Sequence, residues 1–100
     1  MRLSKEELKL IKKVILQIFG SARVVIFGSR LDKKKKGGDI DIFVIPANKD
    51  RLLTKKAKAE FILENELYKP IDILIHRDFS KKIEQEALKG IEITGGCGGT

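Results

Sequence analysis

"FGSRLDKKKKGGDIDIFV", residues 27–44, sets a Gly-Ser turn after one apolar run and an Asp-x-Asp at the head of the next. Asp39 and Asp41 are two residues apart, and on a strand such residues project to the same face. Carboxylates so placed repel one another, and burying either without a cation is costly. The stretch therefore asks for a positive partner, and the reading of the whole chain turns on what that partner is.

On either side of this stretch the pattern alternates between helix and strand. Ser4 and Glu7 form a capping-box pattern, and Leu8, Ile11, Ile15 and Ile18 recur at helical spacing, with Val14 and Phe19 widening the stripe. This predicts a helix over 4–19, stopped by Gly20 and Ser21. "RVVIF" at 23–27 is a buried strand, and "IDIFVI" at 40–45 is a second, closed by Pro46. Asn48 or Asp50 is expected to cap a helix over 50–66 whose inner stripe is Leu53, Ala57 and Phe61. Pro70 precedes a third strand, "IDILI" at 71–75. A third helix is expected to begin at Asp78 or Ser80 and end at Gly90, and "IEIT" at 91–94 reads as a last short strand. The expected class is α/β: a small mixed sheet of three to four strands with about three helices. The 28–38 loop permits antiparallel pairing of the first two strands.

Composition bounds the rest. At 100 residues and 42% hydrophobic, the chain suits one globular domain, expected over 1–94, with a flexible Gly-rich tail at 95–100. No run approaches the roughly 20 apolar residues of a membrane span. "MRLSKEELK" lacks the apolar core of a signal peptide, and Cys97, the only cysteine, forms no internal disulfide. The expected setting is cytoplasmic. The net charge is +7, and Lys33–Lys36 supply four of the positive charges, so the excess is partly local. A local basic loop suits phosphate. Extended nucleic-acid binding is a weaker reading, because aromatic side chains are not interleaved with the lysines and Phe27 and Phe43 read as core.

The alternation puts Ile40, Ile42 and Val44 on one face of the second strand and Asp41, Phe43 and Ile45 on the other, with Asp39 at the strand's mouth on the second side. Asp72 interrupts the third apolar run in the same way. Each aspartate alone has a bland reading. Asp39 suits a turn after Gly37-Gly38, Asp41 suits a lysine partner, and Asp72 suits a water-facing edge. Together they favour a site. If the second and third strands are neighbours, Asp39, Asp41 and Asp72 converge, and an all-carboxylate set suits Mg²⁺ or Mn²⁺. Gly28 lets a ligand approach the backbone, Ser29 offers a hydroxyl and an N–H to phosphate, and Arg30 adds charge. No G-K-[ST] follows, so this is no Walker loop, and G-x-G-x-x-G is missing. His76 either touches the site or simply ends its strand, Tyr68 beside Pro70 reads as packing, and Cys97 as a bystander.

"FGSRLDKKKKGGDIDIFV", with the later "PIDILI", resembles the minimal nucleotidyltransferases of the DNA polymerase β superfamily. The resemblance covers nearly the whole chain and implies the nucleotidyltransferase fold. It implies that Gly28 and Ser29, with Arg30 nearby, contact nucleotide phosphates. It further implies that Asp39 and Asp41 bind Mg²⁺ or Mn²⁺ and that Asp72 helps bind metal and acts on the nucleophile's side. Two departures fall in the loop: the gap from Gly-Ser to Asp-x-Asp is at the family's short end, and the loop residues differ, with Gly38 where the family often has Ser and Leu31-Asp32-Lys33 in place of the usual pattern after G-S-R. Single-domain members of this size resemble antitoxins paired with a HEPN-domain toxin. The implied activity is transfer of AMP from ATP to a hydroxyl, expected to be a tyrosine, of that toxin. The alternative is an antitoxin that neutralises its partner by binding alone. Three costly carboxylates favour the enzyme.

Overall fold

The computed structural model describes residues 3–28 and 39–94. Ser4 opens helix α1 (Lys5–Phe19) with the expected capping box: its hydroxyl accepts from the Glu7 N–H at 3.1 Å, and the Glu7 carboxylate accepts from the Ser4 N–H at 2.9 Å. Gly20 ends the helix at φ 78°, a conformation that costs glycine little. Strand β1 (Ala22–Phe27) follows, then β2 (Ile40–Pro46), helix α2 (Leu52–Leu67), strand β3 (Ile71–Ile75), helix α3 (Lys82–Leu88) and strand β4 (Ile91–Glu92).

The sheet runs β3-β2-β1-β4, with β1 antiparallel to β2 and β4, and β2 parallel to β3. It is the mixed sheet expected from the sequence. Its two faces are unequal. Val24, Ile26, Ile40, Ile42, Val44, Ile71 and Ile73 face α1 and α2, where Ile11, Ile15, Phe19, Ala59 and Leu63 complete the main core. The other face carries a smaller cluster of Val25, Phe27 and Phe43 against Ala87 and Ile83 of α3. Arg23 holds β4 to β1 through a two-pronged contact with Glu92, at 3.1 and 2.8 Å.

Four local expectations are corrected. The predicted inner stripe of α2 points outward: Leu53 is 72% and Phe61 69% exposed, and Ala57 is exposed too. Ala59 and Leu63 are buried instead, with Leu52, Ile62 and Leu67 against the core. Both stripes have helical spacing, and docking against α1 and the sheet buries the second. Neither Asn48 nor Asp50 caps α2. Arg51 stands at its N-terminus in the left-handed region at φ 54°, while the Asn48 side chain accepts from the Asp50 N–H at 2.9 Å to shape the preceding turn. α3 starts at Lys82 rather than at Asp78 or Ser80, because the Asp78 carboxylate accepts from the Ser80 N–H and hydroxyl in a separate turn. Tyr68 does not pack: it ends α2 at φ 56° and is 89% exposed.

Candidate active site

β1, β2 and β3 carry one row of side chains across the smaller face of the sheet. Phe27 of β1 is the register partner of Asp41 of β2, and Asp41 is the register partner of Asp72 of β3. Neighbouring strands lie about 4.8 Å apart, so the two aspartates have backbones one strand spacing apart and project to the same side. Asp39, two residues before Asp41, lies just ahead of β2. Solvent access rises from the centre of the row outward. Asp41 is buried, at 4% exposure, Asp39 is half-buried, and Asp72, on the edge strand, is exposed. The edge-strand setting of Asp72 and its place beside Asp41 are both realised.

Asp39, Asp41 and Asp72 each make a polar or electrostatic interaction within the chain. Among the described residues no group of three acidic, histidine or cysteine side chains stands in a metal-holding arrangement. Asp41 and Asp72 share a face and a register. The donor set still fits a hard divalent cation: oxygen ligands, a buried carboxylate at the centre, and an exposed edge for water or substrate oxygens.

Gly28 directly follows β1, beside this row. It is exposed, and a Cβ placed on it would meet nothing within 4 Å, so a ligand has space at that backbone. Ser29, Arg30 and the lysines at 33–36 lie outside the described residues, as do Cys97 and the 95–100 tail.

His76 is not part of the row. Its N–H donates to the Val44 carbonyl at 2.9 Å, just beyond the far end of β3. Four residues of strand, roughly 13 Å, separate it from Asp72. Its partner is Glu84, which the sequence reading did not single out. Glu84 is 1% exposed and accepts from His76 Nδ1 at 2.7 Å, from the Arg77 N–H at 2.7 Å and from the Asp78 N–H at 2.9 Å. Burial pushes the Glu84 pKa up, but the hydrogen bonds from Asp78, His76 and Arg77 outweigh it and hold the carboxyl below its ordinary range. An ionised carboxylate only accepts, so His76 carries its hydrogen on Nδ1. The imidazole also stacks on Phe79, with ring centroids 3.8 Å apart. The Glu84–His76 pair therefore ties α3 to the end of β3. The signal in the sequence was faint: an acid in the first turn of a short helix.

Residues 8–94 match the model of the nucleotidyltransferase domain family. The fold resembles a chain from the tri-AMPylated Shewanella oneidensis HEPN toxin in complex with MNT antitoxin, with a TM-score of 0.72 and 20% identity over 94% of this chain and 74% of that one. A second solved structure from Shewanella oneidensis matches with a TM-score of 0.72 and 18% identity, over the same shares of the two chains. No curated protein matches. The mixed sheet, the Asp39-x-Asp41 strand with Asp72 in register, and the match over most of the length converge: this chain belongs to the nucleotidyltransferase domain family.

Proposed function

We propose that the chain transfers AMP from ATP to a hydroxyl of a partner protein, expected to be a tyrosine of a HEPN toxin, and so acts as that toxin's antitoxin. One observation carries the proposal: Asp41 and Asp72 are register partners, with Asp39 two residues before Asp41 in the chain. The likeness to a fold found in complex with a tri-AMPylated toxin supports the choice of nucleotide and acceptor.

Asp39, Asp41 and Asp72 would hold Mg²⁺ or Mn²⁺. When bound, such an ion offsets triphosphate charge and lowers the pKa of an attacking hydroxyl. The chain's own groups set up the rest. Asp41 is fixed by burial on the central strand and holds its carboxylate in place. Asp72, exposed on the edge strand, meets the incoming acceptor and takes the proton as its oxygen bonds to the α-phosphorus and pyrophosphate leaves. Gly28 leaves its backbone open to the triphosphate, and Ser29 and Arg30 supply phosphate contacts.

The test is mass spectrometry of the partner after incubation with ATP and Mg²⁺. Additions of one or more AMP residues, lost with the Asp39→Asn/Asp41→Asn double variant, support the reading. Full neutralisation by that variant, with no adduct from the native chain, would establish an antitoxin that works by binding alone.

A further inference from the structure

The outer edge of β3 is capped only part of the way along. The ladder to β2 uses every second N–H, ending with that of His76, so the N–H groups of Ile71, Ile73 and Ile75 point away from the sheet. α2 caps the first two. The Ile71 N–H donates to Glu64 Oε2 at 3.2 Å, and the Ile73 N–H donates to Glu60 Oε2 at 2.9 Å. Among the described residues the Ile75 N–H meets no protein acceptor.

Along this uncapped part runs a cavity of about 340 Å³, walled by Leu53 of α2, Ile75 of β3 and Ile83 of α3. Lys56, Arg77 and Lys81 also line it. The acids nearby are already engaged. Glu84 is buried under three hydrogen bonds. Glu60 spends one oxygen on Ile73, with Lys56 only within 3.9 Å. Asp78, close enough to feel Lys81, is turned to Ser80. The slot therefore combines an apolar wall, an open strand edge and an excess of positive charge.

We infer that this slot docks an extended, acidic segment of the acceptor polypeptide as a short added strand, and so presents its hydroxyl to Asp72. The inference rests on the reading of a protein acceptor. A carbonyl of the docked segment accepts from the Ile75 N–H, and its acidic side chains face Arg77 and Lys81. Leu74 lines the slot on the same face as Asp72, and Ile75 lies three residues, roughly 10 Å, from Asp72 along the strand. Glu60 and Glu64 cover the remaining edge, which limits the added strand to a few residues. A polynucleotide would satisfy the cations but has no use for the apolar wall or the strand N–H.

The probe is a synthetic, fluorescein-labelled hexapeptide of alternating valine and aspartate with one central tyrosine. It is read by fluorescence polarisation and by amide exchange at Ile75. Binding should slow Ile75 exchange, and Arg77→Glu/Lys81→Glu should weaken it about tenfold. The Asp39→Asn/Asp41→Asn variant should bind it normally, so docking and transfer are scored separately. A slot that binds the peptide while the partner gains no AMP would fault the transfer reading alone. No binding at millimolar peptide, equal binding of a lysine-for-aspartate peptide, unchanged Ile75 exchange, or displacement by single-stranded RNA would each overturn the inference.

Discussion

Asp41 on the central strand β2 and Asp72 on the edge strand β3 are direct partners in a parallel ladder, one buried and one exposed. Their pairing makes an acidic row with an inner, fixed end and an outer, accessible end. On the proposed function the two ends have different work. Asp41→Asn should weaken Mg-ATP binding measured by calorimetry, whereas Asp72→Asn should retain more of that binding and lose transfer by at least about a hundredfold. Both should keep the far-ultraviolet circular dichroism of the native chain. Equal Mg-ATP binding by the native chain and Asp39→Asn/Asp41→Asn would contradict the assignment.

Glu84 should matter for stability and not for the chemistry. Glu84→Ala leaves the Arg77 and Asp78 N–H groups and the His76 ring without their acceptor in a part-buried setting. The expected cost is about 2–4 kcal/mol by urea denaturation, with Glu84→Gln costing less.

The same carboxylate sets a pH dependence. Its pKa in the fold is depressed, so its contribution is fully present above the ordinary glutamate value of about 4.3 and is lost as pH falls through the lower folded value. Stability should thus drop on acidification below about pH 4.3, less steeply in Glu84→Gln than in the native chain. Glu7, Asp78 and Glu92 are shifted in the same direction and add to this slope.

Two glycines should behave in opposite ways. A Cβ on Gly90 would collide with the Ile26 carbonyl and come within 2.8 Å of Phe27 Cβ, where the chain crosses β1. Gly90→Ala should therefore cost roughly 1–3 kcal/mol. Gly28→Ala faces open space, so its melting temperature should stay close to native while its apparent affinity for ATP falls. A large loss of stability in Gly28→Ala would show that this glycine serves the fold.

The outward stripe of α2 predicts a null result. Leu53→Ser and Phe61→Ser remove exposed apolar surface and should change stability by no more than about 0.5 kcal/mol. A loss of several kcal/mol in either would mean that the stripe is covered in solution.

Local patterns were sufficient wherever one short segment decides its own state. The Ser4–Glu7 box, the β-branched run ending at Phe27 and the alternation through Asp41, Phe43 and Ile45 lie within a few residues, and backbone geometry turns them into a cap, a strand and a face. Asp72 was legible as an anomaly in an apolar run, but its value depends on β3 lying parallel to β2, which a crossover through α2 decides. Tertiary structure alone chose between the two helical stripes of α2, because Leu53–Ala57–Phe61 and Ala59–Leu63 differ only in which side meets the sheet. It alone brought Glu84 to His76, and Glu60 and Glu64 to the β3 edge, since those hydrogen bonds join groups whose proximity is created by packing. Periodicity specifies that a side chain has a face; the partner on that face exists only once the elements are docked.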